Sequence, residues 1–421
     1  MTKYTAVKGM NDCLPPETRK WQALEQLARD TFASYGYSEI RTPIVEKTAL
    51  FTRSVGETTS IVEKEMYSFV DQGDEALTLR PEGTAPVVRS YIESGMANQH
   101  PNAKLYYMGP MFRRERPQKG RYRQFHQIGV EIFGTAAPAA DAEMIAMVWD
   151  LLDHQLHLPD LALEINSIGC AGCRPEFLRT LETYLASRAE KLCTDCQRRM
   201  KKNPMRVLDC KNEKCRELLQ DAPSIHEFWC EGCQSHFTEV QAMLKLLHVP
   251  YIVNHRIVRG LDYYMRTAFE VITTRLGAQS AVVAGGRYDG LVRQLGGPDV
   301  PGVGFAIGEE RLMLLLEDAG TLSVKEEQHV CFALLGEAAR KALLPVIREL
   351  RHHGVSVQWD YEDRSLKAQM KHADKLGAKW VVIVGDEELA NKVVQVKTLA
   401  TGDQETMSID KLVTYFSEKC S

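Results

Sequence analysis

The sequence predicts an α+β protein in several parts, and three observations carry that reading. A long hairpin pattern runs from Lys104 to Phe133, close pairs of cysteines crowd the stretch from Cys170 to Cys233, and after Gln328 short apolar strands begin to alternate with helices. At 421 residues, 44% hydrophobic and 26% charged, the chain has the balance of an ordinary folded protein able to bury a sizeable core. Its net charge of −4 means that any anion it binds must be met by local basic clusters rather than by an overall positive field. The N-terminal stretch has no apolar core of signal-peptide length, and no run of about 18 apolar residues occurs, so the expectation is a cytoplasmic protein with no membrane partner.

Pro15-Pro16 opens a helix over 17–35, with Trp21, Leu24, Leu27, Ala28 and Phe32 on one stripe and Gly36 at its end. A strand over 38–42 then meets Pro43, which cannot donate to a ladder and marks an edge or a strand end. LTLRPEGTAPVVRSYI predicts a strand at 77–80 that turns at Pro81 into a helix beginning near Thr84. Glu82, Gly83 and Thr84 sit on that turn, where Thr84 can cap the helix, Glu82 can complement its dipole, and binding sites tend to lie.

The hairpin's second arm alternates, with His126, Ile128, Val130 and Ile132 on one face and Phe125, Gln127, Gly129, Glu131 and Phe133 on the other. One face should be core, the other amide and carboxylate. Between the arms, Arg113, Arg114, Arg116, Lys119, Arg121 and Arg123 stand against a single Glu115. Hairpin loops are usually two to five residues, so a longer one loaded with arginine calls for a polyanion held by planar, bidentate donors.

A helix over 139–154 and the strand LALEINSIG lead to Gly169, and residues 170–250 read as an insertion. It is basic around Arg198, Arg199, Lys201 and Lys202, and closes with a helix over 238–247 and a strand at Tyr251. The pairs Cys170/Cys173, Cys193/Cys196, Cys210/Cys215 and Cys230/Cys233 suit a tetrahedral metal, because C-x-x-C lets two thiolates converge on one ion. Eight thiolates could close two structural Zn²⁺ sites, with three pairings open. Disulfides fit a reducing cytosol poorly.

Further on, 252–271 reads as strand-like, with Gly260 allowing a bulge beside Arg259, Tyr263 and Tyr264. AGGRYDGLV raises Arg287 and Tyr288 from a tight glycine turn, and GVGFAIGEERLMLLL gives a strand and then a helix with Arg311 near its start. Gly302, Gly304 and Gly308 miss the G-x-G-x-x-G spacing of a dinucleotide site. A polar linker over 317–328 leads to strands at 330–335, 355–359, 380–384 and 393–397, alternating with helices at 338–352, 365–376 and 409–418. That order makes a small α/β domain with a mixed sheet.

FRRERPQKGRYRQFHQ, followed by Gly129 and Glu131, resembles motif 2 of the class II aminoacyl-tRNA synthetases and specifically of the histidyl-tRNA synthetases. NHRIVRGLDYYMRTAFEV and AGGRYDGLV resemble that family's two signatures, and GVGFAIGEERLMLLL resembles motif 3. The first helix and strand are similar to motif 1, which forms the dimer interface in the class. SLKAQMKHADKLGAKWVVIVGDEEL is similar to the family's anticodon-binding domain. The resemblance implies a class II synthetase-like antiparallel sheet flanked by helices, with a catalytic domain over 1–169 and 251–327, the helical insertion over 170–250, and an anticodon-binding α/β domain over 328–421.

It also implies ATP-dependent ligation of L-histidine to tRNA(His) through histidyl adenylate, with Mg²⁺, by a homodimer. Arg113 and Arg259 would then flank the α-phosphate as catalytic groups, and Arg121 and Arg311 would hold the triphosphate tail. Glu131 and Tyr264 would read the imidazole. Glu82, Thr84 and Gln127 would hold the backbone end of histidine, with Gly83 and Tyr263 completing its site. Two other readings are a regulatory paralogue of the family, which lacks the C-terminal domain and several substrate residues, and a zinc-ribbon nucleic-acid-binding protein. This chain keeps both the domain and the residues, and a ribbon explains nothing outside Cys170–Cys233.

Overall fold

The computed structural model describes residues 3–56, 59–210, 212–276, 281–324 and 329–420. Between Ser323 and Val324 the chain divides into two compact units. In the first, β1 (Ser38–Glu39), β2 (Val45–Lys47), β3 (Tyr67–Val70) and β4 (Ala76–Leu79) precede the hairpin of β5 (Lys104–Phe112) and β6 (Gln124–Phe133). Then come β7 (Leu161–Ser167), β8 (Ile252–Val253), β9 (Met265–Thr273), β10 (Ala281–Arg287) and β11 (Gly302–Gly308). Eight of these strands form one sheet in the order β1-β5-β6-β11-β10-β9-β7-β8. It is antiparallel from β5 to β7, with the two-residue strands β1 and β8 added parallel at its edges. A small antiparallel sheet, β2-β4-β3, stands apart.

The alternation of β6 decides which face is core. Ile128, Val130 and Ile132 are buried with Phe269 and Phe305 beneath helices Glu17–Ser34, Pro138–Trp149 and Glu309–Ala319. Each such side chain contributes about 1.5–3 kcal/mol by leaving water. Phe237, Val240 and Leu244 join the same core. The last insertion helix, Glu231–Leu246, starts earlier than the expected 238–247 and packs in part against the large sheet.

Other elements also differ from expectation. The strand over 38–42 stops at Glu39, because the carbonyl and hydroxyl of Thr42 accept from Arg80 Nη1, each at 3.0 Å, instead of pairing in the ladder. Residues 254–264 are not strand but loop, fastened where Asn254 Nδ2 donates to Glu164 at 2.7 Å, and β9 begins only at Met265, inside the sheet. Gly285 and Gly286 lie within β10 rather than in a turn. A methyl group at Gly285 would collide with Phe269 and the Gly304 carbonyl, so close strand packing is what requires glycine there.

The second unit carries β12 (His329–Leu334), β13 (Ser356–Trp359), β14 (Trp380–Val384), β15 (Val393–Thr398) and β16 (Gln404–Ser408), in the order β13-β12-β14-β15-β16. The first three are parallel and the rest antiparallel, a mixed sheet. Sequence reasoning missed β16, which has no buried face to impose alternation and is defined by pairing with β15. Of the expected linker over 317–328, residues up to Ala319 are helical, and 325–328 lie outside the described residues.

Candidate active site

The sheet face opposite the helices carries a cavity of about 420 Å³. Strand register explains the space: Gly129, Ala306 and Ala284 stand side by side across β6, β11 and β10, and Glu131, Gly304 and Gly286 form the next row. Small residues in neighbouring strands leave a depression. Glu270 of β9 continues the first row beside Ala284. Tyr107 of β5 faces Gly129, and a methyl group at either Gly129 or Gly83 would overlap its ring, so Gly83 serves by making room.

One end of the cavity is lined by Glu82, Thr84, Gln127, Tyr263 and Tyr264. Glu82 Oε2 accepts from the Thr84 amide at 2.8 Å and Oε1 from the Ala85 amide at 2.9 Å, which fixes the carboxylate on the N-terminus of helix Thr84–Glu93. Thr84 is thus the first helical residue rather than the cap. Burial raises the Glu82 pKa, against the pull of those amides and of Arg113. Glu131 does not line the cavity but lies under it, fully buried, accepting from the Tyr288 hydroxyl. Burial pushes its pKa up to about 8. Among the described residues, Glu131 Oε1, Gln127 Oε1 and the hydroxyls of Tyr107 and Tyr263 are buried with no well-formed hydrogen bond, although the Thr84 side chain lies close to Glu131, Tyr107 and Tyr263. Each unmet group costs about 1–3 kcal/mol, so four in one place mark where a polar ligand completes the site.

Arginines line the same cavity. Arg113 Nε donates to the Pro81 carbonyl at 2.8 Å while its guanidinium lies 5.2 Å from the Phe125 ring centre. Among the described residues, its terminal nitrogens have no protein hydrogen-bond partner. Arg121 pairs with Glu115, and Arg311 donates to the carbonyls of Gly120 and Ala281 at 3.2 and 2.8 Å. Burial lowers the Arg311 pKa, and the positive charges of Arg121 and Arg113 add to the effect. Arg259 bonds Glu270 at 2.7 Å and lies over the Tyr264 ring at 5.0 Å. Four arginines converging on a cavity wall form an anion site suited to phosphates.

The basic loop is less uniform than its composition suggests. Only Arg113 and Arg121 of its cations line the cavity; Arg114, Arg116 and Lys119 are exposed, and Arg123 donates to carbonyls of Lys8 and Glu115. Arg287 is likewise not raised toward a ligand. It is fully buried against Asp141, with Nη2 at 3.0 Å from Oδ2, and fastens the sheet to helix Pro138–Trp149. Sequence reasoning missed Tyr107, whose signal was a tyrosine opposite a glycine in the hairpin register. It placed Arg199 only in the insertion's basic cluster and missed Arg206, and both line the cavity.

Within the insertion, the thiols of Cys170, Cys173, Cys230 and Cys233 form one group, and those of Cys193, Cys196, Cys210 and Cys215 form another. One of the three pairings left open by spacing is thereby selected.

The sequence pattern of the histidyl-tRNA synthetase family matches residues 9–312, and that of an anticodon-binding domain matches residues 329–419. The histidine–tRNA ligase of Desulforamulus reducens is 49% identical over 416 residues, 99% of each chain. That of Trichlorobacter lovleyi is 52% identical over 406 residues, 96% of each. Among solved structures, the apo histidyl-tRNA synthetase of S. aureus superposes with a TM-score of 0.83 at 40% identity, covering 99% of this chain and all of that one. A protein of Bacillus halodurans described as an ATP phosphoribosyltransferase regulatory subunit/histidyl-tRNA synthetase shares the fold, at TM-score 0.64 and 22% identity over 88% of this chain and 97% of that one.

Proposed function

The chain belongs to the histidyl-tRNA synthetase family, and from that premise we propose how the residues around the cavity divide the family's work. The enzyme ligates L-histidine to tRNA(His) at the expense of ATP, through histidyl adenylate, releasing AMP and diphosphate. The orphaned polar atoms supply the amino-acid site. Glu131 and Tyr264 take the two imidazole nitrogens, a pairing that rejects an apolar isostere by roughly 10⁴-fold because both partners would be left unmet. Glu82, Thr84 and Gln127 hold the ammonium and carboxylate end, over the gap that Gly83 leaves and beside Tyr263.

Arg113 lies within reach of the charges of both Glu82 and Arg311. It is placed to hold the α-phosphate while the histidine carboxylate attacks phosphorus, with Arg259 stabilising the same centre and Glu270 steering that guanidinium. Arg121 and Arg311 take the β- and γ-phosphates. Catalysis of this kind rests on positioning and charge stabilisation. Glu65 and Glu115 on the cavity wall offer the hard oxygen donors that fit Mg²⁺, which when bound with ATP neutralises phosphate charge.

The unit after Ser323 is assigned to tRNA binding, and the enzyme to the cytoplasm as a homodimer. Exposed Val45, Phe69 and Val70 of the small sheet, with Ile44 just before it, give a second copy an apolar surface to cover. The observation that carries the reading is the meeting, at one cavity, of the orphaned polar atoms of Gln127, Tyr107 and Tyr263, with Glu131 beneath them, and the four arginines Arg113, Arg121, Arg259 and Arg311. The test is ATP–pyrophosphate exchange: activity that requires L-histidine supports it, and exchange indifferent to histidine overturns it.

A further inference from the structure

We propose that the insertion binds two structural Zn²⁺ ions, one on Cys170, Cys173, Cys230 and Cys233 and one on Cys193, Cys196, Cys210 and Cys215. In each group the four Sγ atoms all lie within 4.8 Å of one another. Cys170–Cys173 at 3.6 Å, Cys173–Cys233 at 3.7 Å, and Cys170–Cys230 and Cys193–Cys210 at 3.9 Å approach the ~3.8 Å edge of a tetrahedron with Zn–S bonds of about 2.3 Å. They are far from the ~2.05 Å of a disulfide. Two packed thiols would also touch at such a distance, so no single pair decides the matter. Convergence of four thiols, twice, does: buried free cysteines behave as small hydrophobes and have no reason to gather in fours.

The surroundings suit thiolates. Backbone amides of Cys230 and Cys193 donate to the sulfurs of Cys173 and Cys215, both at 3.2 Å, and that of Asn212 donates to Cys210 at 3.4 Å. Such bonds orient ligands and spread their charge. Arg174 lies close enough to Cys170, Cys173 and Cys233 to feel their charge, offsetting the −2 of a Zn(Cys)₄ centre. Each site takes up one Zn²⁺ and gives up the protons of its thiols, leaving no open position for water.

The two ions have different tasks. The first joins the chain where it enters the insertion to a point 60 residues later where it leaves, closing the base. Arg174, next to Cys173, donates to the Tyr264 carbonyl, so this clamp is bolted to the loop that reads histidine. The second closes the segment carrying Arg199 and Arg206, which line the cavity, and Arg206 is anchored to the Gly260 carbonyl. Metal is needed because the insertion's own core is thin, with Cys173, Cys196, Cys210, Cys215 and Cys233 filling places that leucine holds elsewhere.

The full-length chain, expressed with zinc and purified without chelator, should contain two Zn²⁺ by elemental analysis. Paired serine replacements then test the assignment. Cys170→Ser with Cys230→Ser should remove one ion, Cys193→Ser with Cys210→Ser one, and Cys170→Ser with Cys193→Ser both. Should these variants fail to fold, mercurial titration of the unaltered protein should release two zinc ions as the eight clustered thiols react, and cobalt-substituted protein should show the visible absorption of tetrahedral thiolate sites. Fewer than two ions, disulfides in place of thiols, or loss of both ions from the Cys170/Cys230 variant overturns the proposal. Histidine-dependent pyrophosphate exchange on the same preparation tells that failure apart from failure of the enzymatic assignment.

Discussion

Around the cavity the chain carries buried charges and leaves polar atoms unpartnered, whereas in the insertion even the core positions are occupied by thiols. The difference follows from core size. The main sheet and its three helices bury a continuous apolar layer, large enough to carry the Arg287–Asp141 pair and the buried Glu131 at a net cost the fold can bear. The insertion encloses a much smaller cluster, in which Phe177, Leu181 and Leu185 lean on cysteines. A region with surplus stability can spend it on a site, while a region without one needs cross-links.

The contrast is sharpest where a charge is deleted from the main core. Arg287→Met leaves Asp141 buried with, among the described residues, only the His236 ring as an ion-pair partner, at 3.1 Å, and should lower the free energy of unfolding by about 3–5 kcal/mol in a urea titration. A loss below about 1 kcal/mol would mean that the pair is not sustained by the surrounding core.

Next in size is a pH effect. The folded pKa of Glu131, about 8, lies above its ordinary value, so the fold binds this proton more tightly than the unfolded chain does. Its contribution is fully present below about pH 4.5 and is lost as pH rises through 8. Relative to Glu131→Gln, the ligand-free protein should lose up to about 3 kcal/mol between pH 5 and 8. Parallel stability curves for the two proteins would show that Glu131 is already ionised in the empty cavity.

Arg259→His should reduce histidine-dependent exchange by about 10²-fold, or roughly 2.7 kcal/mol, while the histidine KM stays within a few fold, because the guanidinium serves the transition state more than the bound substrate. Near-normal exchange would remove Arg259 from the chemistry. The smallest effect on the cavity should come from deleting the second unit. A fragment ending at Ser323 should keep measurable exchange but lose charging efficiency by about tenfold or more, since its binding contribution is to tRNA. Unimpaired charging would give the second unit another task.

Much of this was legible along the chain. The alternation of β6, the apolar stripe of the first helix and the short strands after residue 328 are local patterns, and local periodicity survives folding when one face is buried. Of the residues expected at the site, Glu82, Thr84, Arg113, Arg121, Gln127, Arg259, Tyr263, Tyr264 and Arg311 line one cavity, whereas Glu131 lies buried beneath it and Gly83 only makes room for Tyr107. Where the reading stopped, the cause was non-local. Charge density could not separate Arg121, which reaches the cavity, from Arg123, which ties down the N-terminal segment, because both sit in the same irregular loop.

What the sequence determined by itself was the inventory: two faces to a hairpin, a basic loop, a carboxylate and a hydroxyl on a turn, eight paired cysteines, and a separate α/β unit. Tertiary structure alone decided how these were combined. It made Arg287 a buried strut and Arg206 part of the cavity wall, set Tyr107 opposite two glycines, and chose Cys230/Cys233 as partners for Cys170/Cys173. The reason is that period and spacing specify which way a side chain points from its own strand or helix, whereas its neighbours are specified by strand register and loop closure across tens to hundreds of residues.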